Sequence, residues 1–244
     1  MGEYVVDSAF AYLGGHDFTG DINTWNCNSS FETLDKTTFR NNGARQFRGG
    51  LFTTAMGMSG FADLDEYGPD VELWGALTGR TAQVVTAGNL ETEGEPCVFT
   101  RGLVPQFTPG GGGQVGALSS FNMSASGTDR YGAIRALLFA AVQTVSTTGA
   151  KGTALQLGAV GADQRLFASL HLLGEPGTSI TVVLESDDNS NFTSATTRGT
   201  FGPLTAAGGF WLSPVGGAIT DTWWRFRVTA ITGTWDIAAA AAIE

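Results

Sequence analysis

Apolar and polar positions alternate along much of the chain. In WWRFRVTA, residues 223–230, Trp224, Phe226, Val228 and Ala230 share one parity, and Trp223, Arg225, Arg227 and Thr229 share the other. That period of two is the mark of a half-buried strand. Ser179 to Leu184 alternates more weakly, grouping Ile180, Val182 and Leu184, and Phe52, Thr54, Met56 and Met58 form a further set. Residues 133–145 fit either a helix or a strand, and their β-like surroundings favour a strand. Turn residues separate these runs: Asn41-Asn42-Gly43, Pro109 with Gly110 to Gly113, Pro176-Gly177, Gly208-Gly209 and Gly216-Gly217. One helix is predicted over 69–77. Pro69 suits its first position, Asp70 and Glu72 complement the positive end of its dipole, and Gly79 can stop it. Its spacing places Val71, Trp74 and Leu77 on one face.

Composition sharpens this picture. The 244 residues suit one large β domain or two small ones, rich in Gly with only 15% charged residues. So few charges suggest that part of the surface is covered by partners. The net charge of −10 argues against gripping nucleic acid through phosphates, which needs clustered cations. It is compatible with a wall that DNA slides past without sticking. No basic leader opens the chain and the longest apolar run is too short for a bilayer, so synthesis in a cytoplasm and no membrane partner are expected.

Two halves can be read. Gly43-Ala44-Arg45-Gln46 is echoed by Gly161-Ala162-Asp163-Gln164, each before a strand-like run and then an acidic stretch. This predicts β domains over 1–127 and 128–244, the second a divergent repeat of the first, with net charges of −8 and −2.

Chemistry-bearing motifs are scarce. The sequence has no nucleophile elbow, phosphate loop or His-Glu-x-x-His pair. Cys27 and Cys97 lack metal-site spacing and read as partly buried thiols, with their pairing open. His171, in LHLL, reads as a structural histidine. Asp187-Asp188-Asn189 reads as a solvated turn, because the glycine and terminal glutamate of a calcium loop are missing. Neither an enzyme nor a cofactor is expected. Trp223, Trp224 and Trp235 leave open a carbohydrate-binding β-sandwich, since exposed aromatics can stack on sugars.

The segment NSSFETLDKTTFRNNGARQFRGGLFTTAMGMSGF, residues 28–61, resembles the major tail tube proteins of long-tailed, siphovirus-like bacteriophages. A strand leads into an extended Thr-Thr-Phe loop with a Gly and an Arg, and the chain returns on a Gly-Leu strand before a short helix. The segments at 165–188 and 220–233 are similar in style to phage virion proteins. The resemblance implies a mainly β, tail-tube-type sandwich or barrel with one short helix, duplicated in tandem on the two-domain reading. It implies a structural virion protein, assembled in the host cytoplasm, whose copies join into stacked rings. These would form an acidic-lined conduit for DNA and contact other tail proteins. The loop bearing Lys36, Arg40, Asn41, Asn42, Arg45 and Arg48 would then contact a neighbouring copy, with Asp63, Asp65 and Glu66 as acidic partners. Rings of three duplicated chains are expected ahead of rings of six. A head or tail decoration protein is the remaining alternative.

Overall fold

Runs of alternating residues punctuated by Gly, Pro and Asn fold here into antiparallel ladders. The computed structural model describes residues 8–38, 44–62, 69–109, 118–128 and 130–244. In chain order the elements are β1 (Phe10–Leu13), β2 (His16–Asp17), β3 (Ile22–Asp35), β4 (Phe47–Phe61), α1 (Pro69–Gly79), β5 (Gln83–Gly88), β6 (Pro96–Thr108), β7 (Ser120–Gly127) and β8 (Ile134–Val145). There follow β9 (Gly149–Gln156), β10 (Arg165–Leu173), β11 (Ser179–Asp187), β12 (Thr196–Leu204), β13 (Gly208–Trp211), β14 (Val215–Gly216), β15 (Trp223–Thr232) and β16 (Trp235–Ile243). The protein is therefore mainly β, with one short helix among the described residues, as expected.

One large sheet runs through both halves in the order β13-β10-β16-β8-β6-β5-β1-β2. It branches at β6. Gly102 pairs with Gln83 of β5 and also with Gly127 of β7, so β7 lies on the side of β6 where β8 pairs further back. From β7 the branch continues through β4 to β3. A second sheet, β12-β11-β15-β9, faces the β10, β16 and β8 region. Sheet-on-sheet packing of this kind buries the inward parity of both sheets.

Three apolar clusters follow from these layers. The second-half sandwich closes on Leu166, Leu170, Val182, Leu184, Trp224, Phe226 and Ile237. In the first half, α1 sits over the sheet, and its Leu73 and Ala76 join Met56, Met58, Val85, Val104, Phe107 and Phe121. The third cluster lies where the large sheet curls back on itself, combining Phe10 and Tyr12 of β1, Phe99 of β6, Phe167 of β10 and Ala238, Ala240 and Ala242 of β16. Strand β16 thus has a core on each face, because Ile237, Ala239 and Ala241 belong to the sandwich cluster. Alanines let both layers approach closely. The same residues favour helix intrinsically, and burial on two sides overrides that preference.

The curl is held by polar bonds between the halves. The Nδ1–H of His171 in β10 donates to the Gly14 carbonyl at 2.9 Å, and Nε2 accepts from the Thr86 hydroxyl of β5 at 2.8 Å. The Gly174 amide donates to Gly15 O at 3.0 Å. The 1–127 and 128–244 regions are therefore stitched together by a continuous sheet and a shared core. Their plans differ: α1 packs over the first, while the second is a sandwich without a helix. Gly161 to Gln164 forms a tight turn, with the Gly161 amide donating to Gln164 Oε1 at 3.0 Å, whereas Gly43 of the echoed segment lies outside the described residues.

The expected strands at 52–58, 133–145, 179–184 and 223–230 are present. The helix departs from expectation in its orientation. Val71 and Trp74 face outward, and Leu73 and Ala76 are buried. The helix carries apolar residues around most of its circumference, so spacing alone could not select the packed side. Among the described residues no helix is long and apolar enough to cross a membrane.

Candidate assembly surface

Strands β3 and β4 outrun the sheet that holds them. The last β4 residue paired with β7 is Ala55, opposite Ser126, and β4 continues back from there through residues 47–54 with β3 alone as partner. Eight residues at about 3.3 Å each make an arm of roughly 25 Å. At its base, Phe52 leans on the turn at Gly132, which has φ +68°, and a Cβ at that glycine would run into the Phe52 ring. The Thr100 hydroxyl holds the same turn by donating to Gly132 O at 2.9 Å.

The arm is apolar on both faces. Leu51 and Phe52 are adjacent in the strand and so point to opposite sides, yet they are 74% and 53% exposed. Phe31, directly across from Phe52, and Leu34 and Phe47 are exposed as well. A two-stranded ribbon is marginal in water by itself, and this one displays the side chains a core would normally hide.

Of the basic residues singled out in the sequence, Lys36, Arg45 and Arg48 lie near the arm's tip and are exposed. None of the three makes an ion pair with a described residue. The tip is tied by the Lys36 amide donating to Gln46 O at 2.8 Å and the Gln46 amide donating to Thr37 Oγ1 at 3.0 Å. Asp35 Oδ1 accepts the Thr37 amide at 2.7 Å, and these Thr37 bonds hold its carboxyl below the usual range. Arg40, Asn41, Asn42, Asp63, Asp65 and Glu66 lie outside the described residues. The apolar arm residues were missed by reading one parity at a time. The adjacent pair Leu51-Phe52 was the available signal.

Two more surfaces belong to the first half. On α1, Val71 and Trp74 stand outward beside Asp70 and Glu72, and the helix's last turn has no basic residue. The sheet face turned away from α1 is different again. By register and alternation, Asn26 and Asn28 of β3, Ala55, Gly57 and Ser59 of β4, Asn122, Ser124 and Ser126 of β7, and Gln106 and Thr108 of β6 share it. These are uncharged and mostly small, and Phe61 and Leu103, paired with Ser120 and Ser126, share the same face. Every large apolar side chain that is exposed among the described residues falls between Phe31 and Leu118.

The second half keeps its polar groups in closed networks. Buried Glu185 receives Arg225 at 2.9 Å and Arg227 at 3.3 Å, and Arg225 also lies 4.1 Å from the centre of the Phe192 ring. Arg198 meets Asp221 at 2.8 Å, and the Ser186 hydroxyl donates to the same carboxylate at 2.6 Å. These bonds hold the Asp221 carboxyl below its usual range. Asp187 accepts the amides of Asn189 and Ser194 and staples a turn. Such arrangements fix loops.

Other chemistry is equally closed. A cleft of about 630 Å³ at the seam of the halves is lined by Trp25, Asn89, Pro96, Cys97, Arg135 and Leu137. Both cysteines are free thiols, and burial pushes the Cys97 thiol up to about 12, away from the reactive thiolate. Among the described residues no group of three His, Cys, Asp or Glu is placed to hold a metal. Of the tryptophans considered for stacking on sugars, Trp224 and Trp235 are fully buried, and Trp223 alone is half-exposed. The alternation of 223–230 put Trp224 in the core, and the β16 pairing put Trp235 there.

No protein-family model matches the chain, and no curated protein does. Solved structures are similar at low identity. A chain of the native gene transfer agent (GTA) virion aligns with TM-score 0.43 and 12% identity, over 52% of this chain and 95% of that one. The SPP1 Dit (gp 19.1) protein, described as a paradigm of the hub adsorption apparatus in phages infecting Gram-positive bacteria, aligns with TM-score 0.39 and 12% identity, over 97% and 99%. A chain of the phage p2 baseplate in its activated conformation aligns with TM-score 0.37 and 8% identity, over 90% and 97%. What these three share with this chain is a likeness of chain path.

Proposed function

We propose that the protein is a structural component of a phage-like tail, whose copies join through their first halves into rings around a passage for DNA. The observation that carries this reading is the one-sided distribution of exposed apolar surface. The arm, the outward face of α1, Phe61, Leu103 and Leu118 are all in the first half, while the second half's described surface exposes no large apolar side chain. An unfilled apolar ribbon of this kind is what a copy-to-copy contact would cover, and closing the ring would also protect the free edge of β3.

The same observation bears on stoichiometry. A ring of three duplicated chains needs equivalent contacts from both halves. The surface favours six copies, with the first halves in the ring and the second halves outside it. For the passage, the flat face of β3, β4, β7 and β6 is the best lining. Where the four strands pair side by side it carries neither cations to grip phosphates nor the carboxylates of the acidic wall expected from the sequence.

Negative-stain microscopy and sedimentation velocity of the purified chain test this reading. Rings or short tubes are expected, and Leu51→Glu with Phe31→Glu should leave a folded monomer. A chain that stays monomeric at all concentrations while binding a polysaccharide tightly would establish the carbohydrate module in its place.

A further inference from the structure

We propose that the arm of one copy docks on the outward face of α1 of the next, so that the helix is the arm's receptor. This rests on the reading that the chain self-assembles, and it names both sides of the contact.

Three observations converge. The arm has exposed apolar side chains on both faces and needs a partner that the described residues of a single chain do not supply. Helix α1 displays Val71 and Trp74, one turn apart, with Trp74 53% exposed, and Trp is among the residue types enriched at interface hot spots. The charges are complementary. Lys36, Arg45 and Arg48 flank the apolar arm, whereas Asp70 and Glu72 flank the apolar helix face, and none of these five pairs with a described residue. Arginine forks on carboxylates would then fix the register of an otherwise greasy contact.

The geometry of association follows. Arm and helix face are different surfaces of one chain, so the contact is head-to-tail. Such contacts repeat, and they close into rings or run on as helical tubes instead of stopping at a dimer.

The test is a charge swap with a register check. Arg45→Glu with Arg48→Glu, and separately Asp70→Lys with Glu72→Lys, should each raise the concentration for half-assembly tenfold or more, because like charges then face each other. Combining all four should restore assembly to within a few-fold of the original chain. Melting curves establish that each variant is folded. Independently, chains carrying Leu51→Cys mixed with chains carrying Trp74→Cys should form a disulfide-linked pair under oxidation, and neither should do so alone.

An original chain that never assembles overturns the assembly reading and this contact with it. A chain that assembles normally, but shows no charge rescue and no mixed disulfide, overturns the contact alone.

Discussion

His171 shows how much one buried ring can decide. Its two nitrogens are committed to the Gly14 carbonyl and the Thr86 hydroxyl, which fixes the neutral tautomer. Burial pulls its pKa down to about 4, with the bond to Gly14 opposing weakly. The unfolded chain takes up the proton near 6.5 and the folded chain only near 4, so this contribution to stability is complete above 6.5 and falls as pH drops towards 4. A loss of about 3 kcal/mol across that window is expected. Urea midpoints measured every half pH unit would show it. A flat profile from pH 7 to 4 would mean that the histidine is not shut in as described. In the second half, Arg225→Ala should cost about 3 kcal/mol in urea unfolding. It leaves Glu185 buried with only the half-exposed Arg227 as counter-charge and removes the stack on Phe192. A change below 0.5 kcal/mol would show that water reaches the carboxylate.

At the scale of elements, α1 and the arm are each incomplete alone. The helix buries Leu73 and Ala76 and leaves a tryptophan outside, and the ribbon leaves phenylalanines uncovered on one face and leucines on the other. Trp74→Ala should therefore leave the melting temperature of the monomer within a degree or two, since exposed positions contribute little to folding. Leu73→Ala should lower it by many degrees, because a buried leucine truncated to alanine costs roughly 2–5 kcal/mol. Calorimetry on the two variants at a concentration below assembly separates packing from docking. Equal losses would place both faces of the helix inside the fold.

Across the whole molecule, charge and apolar surface are sorted by position. The chain's net charge is −10, yet where β3, β4, β7 and β6 pair side by side their open face carries no charged side chain. If that face lines the passage, assembled protein should not retain double-stranded DNA at low salt. Asn26→Lys with Asn122→Lys should create retention that weakens steeply as salt rises, following counterion release. Filter binding from 50 to 300 mM salt reads this directly, and unchanged behaviour would put the face on the outside. The joined sheet also implies that the two halves unfold together. A single transition is expected by circular dichroism and by tryptophan fluorescence alike.

Local pattern settled a good deal. A period of two marks a strand whatever it pairs with, so β8, β11 and β15 were legible, as were the turn at Pro176-Gly177 and the start of α1 at Pro69. Gly208-Gly209, expected as a turn, instead opens β13 because β10 pairs with it. The basic cluster at 36–48 could be recognised, since a charge on a hairpin is a local fact. Four other features needed the fold. The face α1 buries depended on where β6 lies, and the strand character of the alanine run in β16 depended on a core on either side of it. The union of the two halves in one curled sheet joins β1 and β5 to β10 across more than 80 residues of sequence. The exposure of Phe31, Leu51 and Phe52 is likewise invisible in their identities, because an apolar residue reads as core until the described strands are seen to leave it uncovered. Pairing between distant segments carries all of these, and no window of sequence contains it.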